Sequence, residues 1–118
     1  MAYSKLRRNT SQRKALLRSL VSNLIIHELI LTTESKAKEL KKTIEKVINL
    51  SKKNTLHSRR LASLYLFDEN IDEKTTVLQK LFKDIVSKYQ NRNSGYAKIV
   101  KSECRKGDSA PMAFISLV

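Results

Sequence analysis

The spacing of the apolar residues changes period once along this chain, near residue 90. Upstream they recur every three or four residues, as on helix faces, and downstream they alternate, as in strands. That division confines the chain to an α+β arrangement, with helices first and a small sheet completed late. Over residues 11–27, Leu16, Leu17, Leu20, Val21, Leu24 and Ile25 share one helical face, preceded by the capping residues Asn9, Thr10 and Ser11. Leu29, Ile30, Leu31, Thr32 and Thr33 suggest a short strand. A second helix is expected over 34–53, with Thr33 as its cap and Ala37, Leu40, Ile44, Val47 and Ile48 as its stripe. A third, shorter helix follows Asn54 and Thr55, with Leu61, Leu64 and Tyr65 inward. After an acidic loop at 68–72, the pattern Val77, Leu78, Leu81, Phe82, Ile85, Val86, Tyr89 predicts a fourth helix over about 72–90. Gly95, at its end, can take a positive φ.

Residues 96–102 then alternate, with Ala97 and Ile99 on one face and Tyr96, Lys98 and Val100 on the other. Residues 112–118 alternate again, and Lys106, Gly107 and Asp108 mark the turn between. This is a β-hairpin pattern. With the strand at 29–33 it makes a three-stranded sheet, mixed or antiparallel, covered on one face by four helices. The expected fold class is a two-layer α+β domain over 11–118, preceded by a basic arm over 1–10.

Charge narrows the function. The net charge is +13, with 24 Lys and Arg against 11 Asp and Glu. Lys5, Arg7, Arg8, Arg13, Lys14 and Arg18 all precede the first carboxylate, Glu28. Such a cationic arm repels itself unless a polyanion neutralises it, and nucleic acid is the expected partner. A membrane is a poorer fit, because no apolar run approaches the ~18 residues of a span. Arginines interrupt any signal-peptide core, so a cytoplasmic location is expected. Trp is absent and aromatics are 6% of the chain, which disfavours reading single strands on an aromatic sheet face.

Catalytic chemistry finds little support. Cys104 is the single cysteine, so neither an internal disulfide nor a cysteine zinc site is available. His27 and His57 lack obvious partners, and the acids at 68, 69, 72 and 73 lack the glycine of a calcium loop. No enzyme, cofactor, metal or small-molecule substrate is expected. The residues that suit a polyanion are basic and neutral donors, arginines foremost, since the planar guanidinium grips phosphate with two bonds. They are Lys5, Arg7, Arg8, Asn9, Ser11, Arg13, Lys14 and Arg18 in the arm and first helix, the pair Arg59 and Arg60, Arg92, and Lys98, Arg105 and Lys106 around the hairpin. Tyr96 joins them as a base-stacking candidate, with a core tyrosine as the competing reading. For the lysines of the second helix, solubility explains their presence as well as contact does. A free-standing nucleoid or regulatory protein is the alternative function, and a small RNA-modifying enzyme a third.

The segments SQRKALLRSL at 11–20, TTESKAKEL at 32–40, HSRRLA at 57–62, LQKLF at 78–82, NRNSGY at 91–96 and GDSAPMA at 107–113 carry a specific resemblance. In order and spacing the chain resembles the family of bacterial large-subunit ribosomal protein number seventeen, over nearly its whole length. It departs where Ala2, Tyr3 and Ser4 replace a denser basic start. The resemblance implies a structural role in the large subunit, binding its RNA near the polypeptide exit tunnel. It also implies neighbours among the large-subunit proteins, numbers twenty-two and thirty-two.

Overall fold

The computed structural model describes Leu6 and residues 8–118. The expected arm falls largely outside the described residues, and so do Lys5 and Arg7. The first helix, α1 (Thr10–His27), starts where its sequence can satisfy its first amides: Asn9 accepts from the Gln12 N–H, and the Gln12 side chain accepts from the Asn9 N–H. It ends on Glu28 in the left-handed region, whose N–H returns to the Leu24 carbonyl at 2.7 Å. The Lys80 ammonium satisfies the late Ile26 carbonyl at 2.9 Å.

Strand β1 (Leu29–Thr33) leads directly into α2 (Glu34–Lys52). Thr33 occupies the cap position, but its side chain makes no capping bond. The Glu34 N–H is satisfied instead by the Pro111 carbonyl at 3.0 Å, which ties the start of α2 to the far end of the hairpin. Helix α3 (Leu56–Ser63) opens with a reciprocal Thr55–Ser58 cap.

Two expectations need correction here. Leu64 and Tyr65 do not point inward: they are 65% and 36% exposed. The helix stops at Ser63, and the turn that follows sends Leu66 into the core in their place. The fourth helix begins at Val77, not near 72. Asp72 accepts from the Lys74 and Thr75 amides, both at 2.8 Å, and the Val77 N–H reaches back to the Glu69 carbonyl, so residues 69–77 form a tight turn. Thr76 and Gln79 then cap the helix reciprocally. This fourth helix, α4, comprises an α-helical turn Val77–Lys80, a wider π-helical segment Leu81–Ile85 and a closing turn Val86–Lys88. The inserted residue brings both Ile85 and Val86 to the buried side.

Gly95, at φ +69°, turns the chain into β2 (Ala97–Lys101), which forms a hairpin with β3 (Met112–Leu117). The sheet is wholly antiparallel in the order β1-β3-β2. Its inner face supplies Ala97, Ala113, Ile115 and Leu117 to a core shared with α1, α2 and α4. Tyr89 closes the core against Tyr96 at 5.3 Å, edge to face, and donates to the Val118 main-chain oxygen at 2.6 Å. Burial first, then the nearby Glu28 carboxylate, push the Tyr89 phenol above its ordinary pKa, although Arg92 pulls it down. The phenol therefore stays a donor at neutral pH.

The outer face of the sheet is bare. Leu31, Phe114 and Val100 lie in one row across the three strands and are 52%, 39% and 47% exposed. This difference between faces predicts different mutational costs. Leu40, fully buried on α2, should lose about 2–5 kcal/mol on truncation to Ala, whereas Leu31→Ala should stay within about 0.5 kcal/mol. Urea denaturation of the two variants measures both.

Candidate nucleic-acid interface

Helix periodicity brings the basic residues of α1 and α2 together. On α1, Arg13, Lys14 and Arg18 stand beside the buried Leu17. On α2, Lys42 and Lys46 are one turn apart. These side chains wall a groove of about 790 Å³. Leu17, Leu64 and Tyr65 supply its apolar surface, and Thr43 and Glu39 its remaining polar groups.

The groove is held in shape by specific bonds. Glu39 is the single charged residue buried among the described residues, and Arg13 meets it at 2.8 Å across 26 positions of sequence. Lys42 adds a second contact to the same carboxylate at 3.3 Å. A buried carboxylate needs such partners, and here they join α1 to α2. Arg18 bonds the Leu66 carbonyl at 3.1 Å, and its guanidinium lies 4.4 Å from the Phe67 ring centre. Ser22 accepts from the Phe67 N–H at 2.7 Å. Together these clamp the turn after α3 onto α1, which is what sets Leu64 and Tyr65 at the groove. Lys14 and Lys46 have no partner among the described residues.

Other basic residues sit apart. Arg59 lies 4.8 Å from the Phe82 ring centre and lines a second, smaller depression with Lys74 and Lys83. Arg60 is exposed on α3. Arg105 is bound in a fork to Asp108, at 3.0 and 3.1 Å, inside the hairpin turn. That bond, with the Ala110 amide, holds the Asp108 carboxyl below its usual range and raises the Arg105 pKa. Lys106 beside them is exposed, as is Lys98 on the outer sheet face.

Comparison with known sequences gives the family of the chain. The sequence profile of Ribosomal protein L17 matches residues 16–118. The chain belongs to that family. It is 64% identical to the "Large ribosomal subunit protein bL17" of Phytoplasma mali (strain AT), over all of both chains. It is 61% identical to the protein of that name from Aster yellows witches'-broom phytoplasma (strain AYWB), again over both full lengths. A Streptococcus agalactiae serotype Ia protein of the same name is 53% identical over both full lengths. As a member of this family the chain is a structural constituent of the bacterial large ribosomal subunit, in the cytoplasm, and not an enzyme. The enzyme and free-standing regulator readings are set aside.

Within a ribosomal protein, the candidates of the sequence divide by their surroundings. Lys14, Arg13 and Arg18 share the groove, although the latter two also do structural work there. Arg8 donates to the Leu6 carbonyl at 2.7 Å, and Asn9 is engaged in the α1 cap while remaining exposed with Ser11. Arg92 is exposed, and its carbonyl accepts from the Lys52 ammonium. Tyr96 is a correction: it is fully buried, so no base can stack on it. Its hydroxyl lies 2.8 Å from Asn49 Oδ1 and 3.0 Å from the Arg92 carbonyl, and Lys52 covers its ring at 4.7 Å. Sequence reasoning gave no preference to Lys42 and Lys46, and it placed Leu64 and Tyr65 inside. The spacing of 39, 42, 43 and 46 does mark one α2 face, but nothing in the sequence says that α1 faces it. Tyr96→Phe should lower stability by about 1 kcal/mol through the lost hydroxyl bond and leave RNA affinity unchanged. Thermal melts and filter binding separate the two effects.

Proposed function

We propose that this ribosomal protein binds large-subunit ribosomal RNA near the polypeptide exit tunnel, with its cationic surface on the RNA and its outer sheet face on protein. The observation that carries the reading is the gathering of five cations, from two helices, around one groove that contains a single carboxylate. Phosphate neutralisation by such groups is the main source of RNA affinity. Arg59, Arg60, Arg92 and Lys106 extend the contact beyond the groove, and the arm over 1–10 adds Lys5, Arg7 and Arg8. The outward positions of the three strands carry one charge, Lys98, around the apolar row Leu31, Phe114 and Val100. That surface cannot neutralise phosphate and suits an apolar protein neighbour. Proteins twenty-two and thirty-two of the large subunit are the proposed neighbours.

Two measurements check this reading. Affinity for refolded large-subunit RNA should fall roughly a thousandfold between 50 and 200 mM salt, as expected when about six phosphates are neutralised. A flat salt response contradicts phosphate-dominated binding. The double variant Arg59→Glu, Arg60→Glu should stay folded by circular dichroism, losing about 0.5–1 kcal/mol with the Phe82 contact. It should incorporate poorly into subunits, as read by sedimentation.

A further inference from the structure

The groove between α1 and α2 is more than a charged surface. Its apolar floor is unusual for a protein so rich in cations. Leu64 and Tyr65 line it and are 65% and 36% exposed, although α3 and the core lie a few residues away. Their position is enforced, not incidental. The Arg18 bond to Leu66 and the Ser22 bond to Phe67 fix the backbone on the C-terminal side of Tyr65, and the end of α3 fixes it on the other. The groove's volume of about 790 Å³ lies within the roughly 300–1,000 Å³ range of small-ligand sites.

Charge and shape together select the occupant. Lys14 and Lys46 stand at the groove with no carboxylate partner among the described residues, and Glu39 already holds Arg13 and Lys42. A phosphate is therefore favoured on the two lysines. An aromatic ring and a leucine beside it favour a flat apolar group. An unpaired nucleotide of structured RNA offers both groups on one residue, and proteins take such bases out of loops and bulges onto aromatic side chains. We infer that this groove holds one unpaired nucleotide of the ribosomal RNA, its base against Tyr65 and Leu64 and its phosphate on Lys14 and Lys46. The inference rests on the RNA-binding reading above and deepens it, because it converts one part of the surface from general phosphate contact to a nucleotide subsite.

The test uses the full chain, both free and assembled. Large subunits containing the protein are irradiated with ultraviolet light, digested with nuclease and protease, and searched by mass spectrometry. The expected result is a nucleotide adduct on the peptide carrying Tyr65. In parallel, refolded large-subunit RNA is titrated with wild type, Tyr65→Phe and Tyr65→Ala. Tyr65→Phe should keep wild-type affinity, and Tyr65→Ala should lose about fivefold or more, in line with the loss of one stacked base. The thermal melt of each variant is measured alongside, and Tyr65→Leu, which keeps apolar bulk without a ring, serves if Tyr65→Ala melts early. If wild type binds RNA but all variants bind equally and Tyr65 carries no adduct, the subsite is wrong while RNA binding stands. A crosslink from this peptide to another protein also overturns it, since a polypeptide then fills the groove. If wild type fails to bind RNA at all, the broader reading fails with it.

Discussion

The burial of one stripe on α2 fixes the positions of everything packed around it. Ala37, Leu40, Ile44, Val47 and Ile48 are all fully buried. They serve two neighbours at once, because α2 meets α1 and also the β2–β3 hairpin. An amphipathic helix used in this way has no freedom to rotate. Its lysines must emerge where α1 and the sheet leave room. Its start is fixed from outside as well, by the Pro111 carbonyl on the Glu34 amide and not by a capping side chain.

From that constraint the charge distribution follows. With α2 held in phase, Glu39 is carried into the α1–α2 seam, where it is buried, and Arg13 must meet it. The pair removes one arginine from general surface duty but fixes the wall of the groove that the remaining cations line. A comparable trade occurs at Arg18, which secures the Leu66–Phe67 backbone. Residue type alone marks both arginines as RNA ligands. In the folded chain their first task is to shape the surface on which the lysines stand. The sheet, by contrast, sends its charges to its edge, where Lys101 lies 3.8 Å from Glu34, and leaves its outer face nearly neutral. On the proposed reading, RNA meets the α1–α2 groove and protein the outer sheet face.

What the sequence revealed and what it hid have physical causes. The α1 and α2 stripes and the hairpin were legible because each depends on local period alone. The end of α3 was not. No glycine or proline stands near Ser63, and the stop comes from Ser22 and Arg18, some 45 residues upstream, taking hold of the 66–67 backbone. That long-range bond is why Leu64 and Tyr65, apolar by type, emerge at the surface. The start of α4 is hidden for the converse reason: the acids at 68–72 resemble a helix start, but Asp72 bonds its own turn instead. Tyr96 was open between two readings because its partner Asn49 lies 47 residues away. Family resemblance supplied the biological setting, and it came from motif order, not from any of these contacts.

We propose that the seam of α1 and α2 is the side turned to RNA. Lysine-selective acetylation of the free protein and of salt-washed large subunits, read by mass spectrometry, tests it most directly. Lys14 and Lys46 should be modified readily in the free chain, since neither has a partner among the described residues. Both should become strongly protected in the subunit, and digestion of the RNA with nuclease should restore their reactivity. Equal modification of Lys14 and Lys46 in the free chain and in the intact subunit would contradict the account.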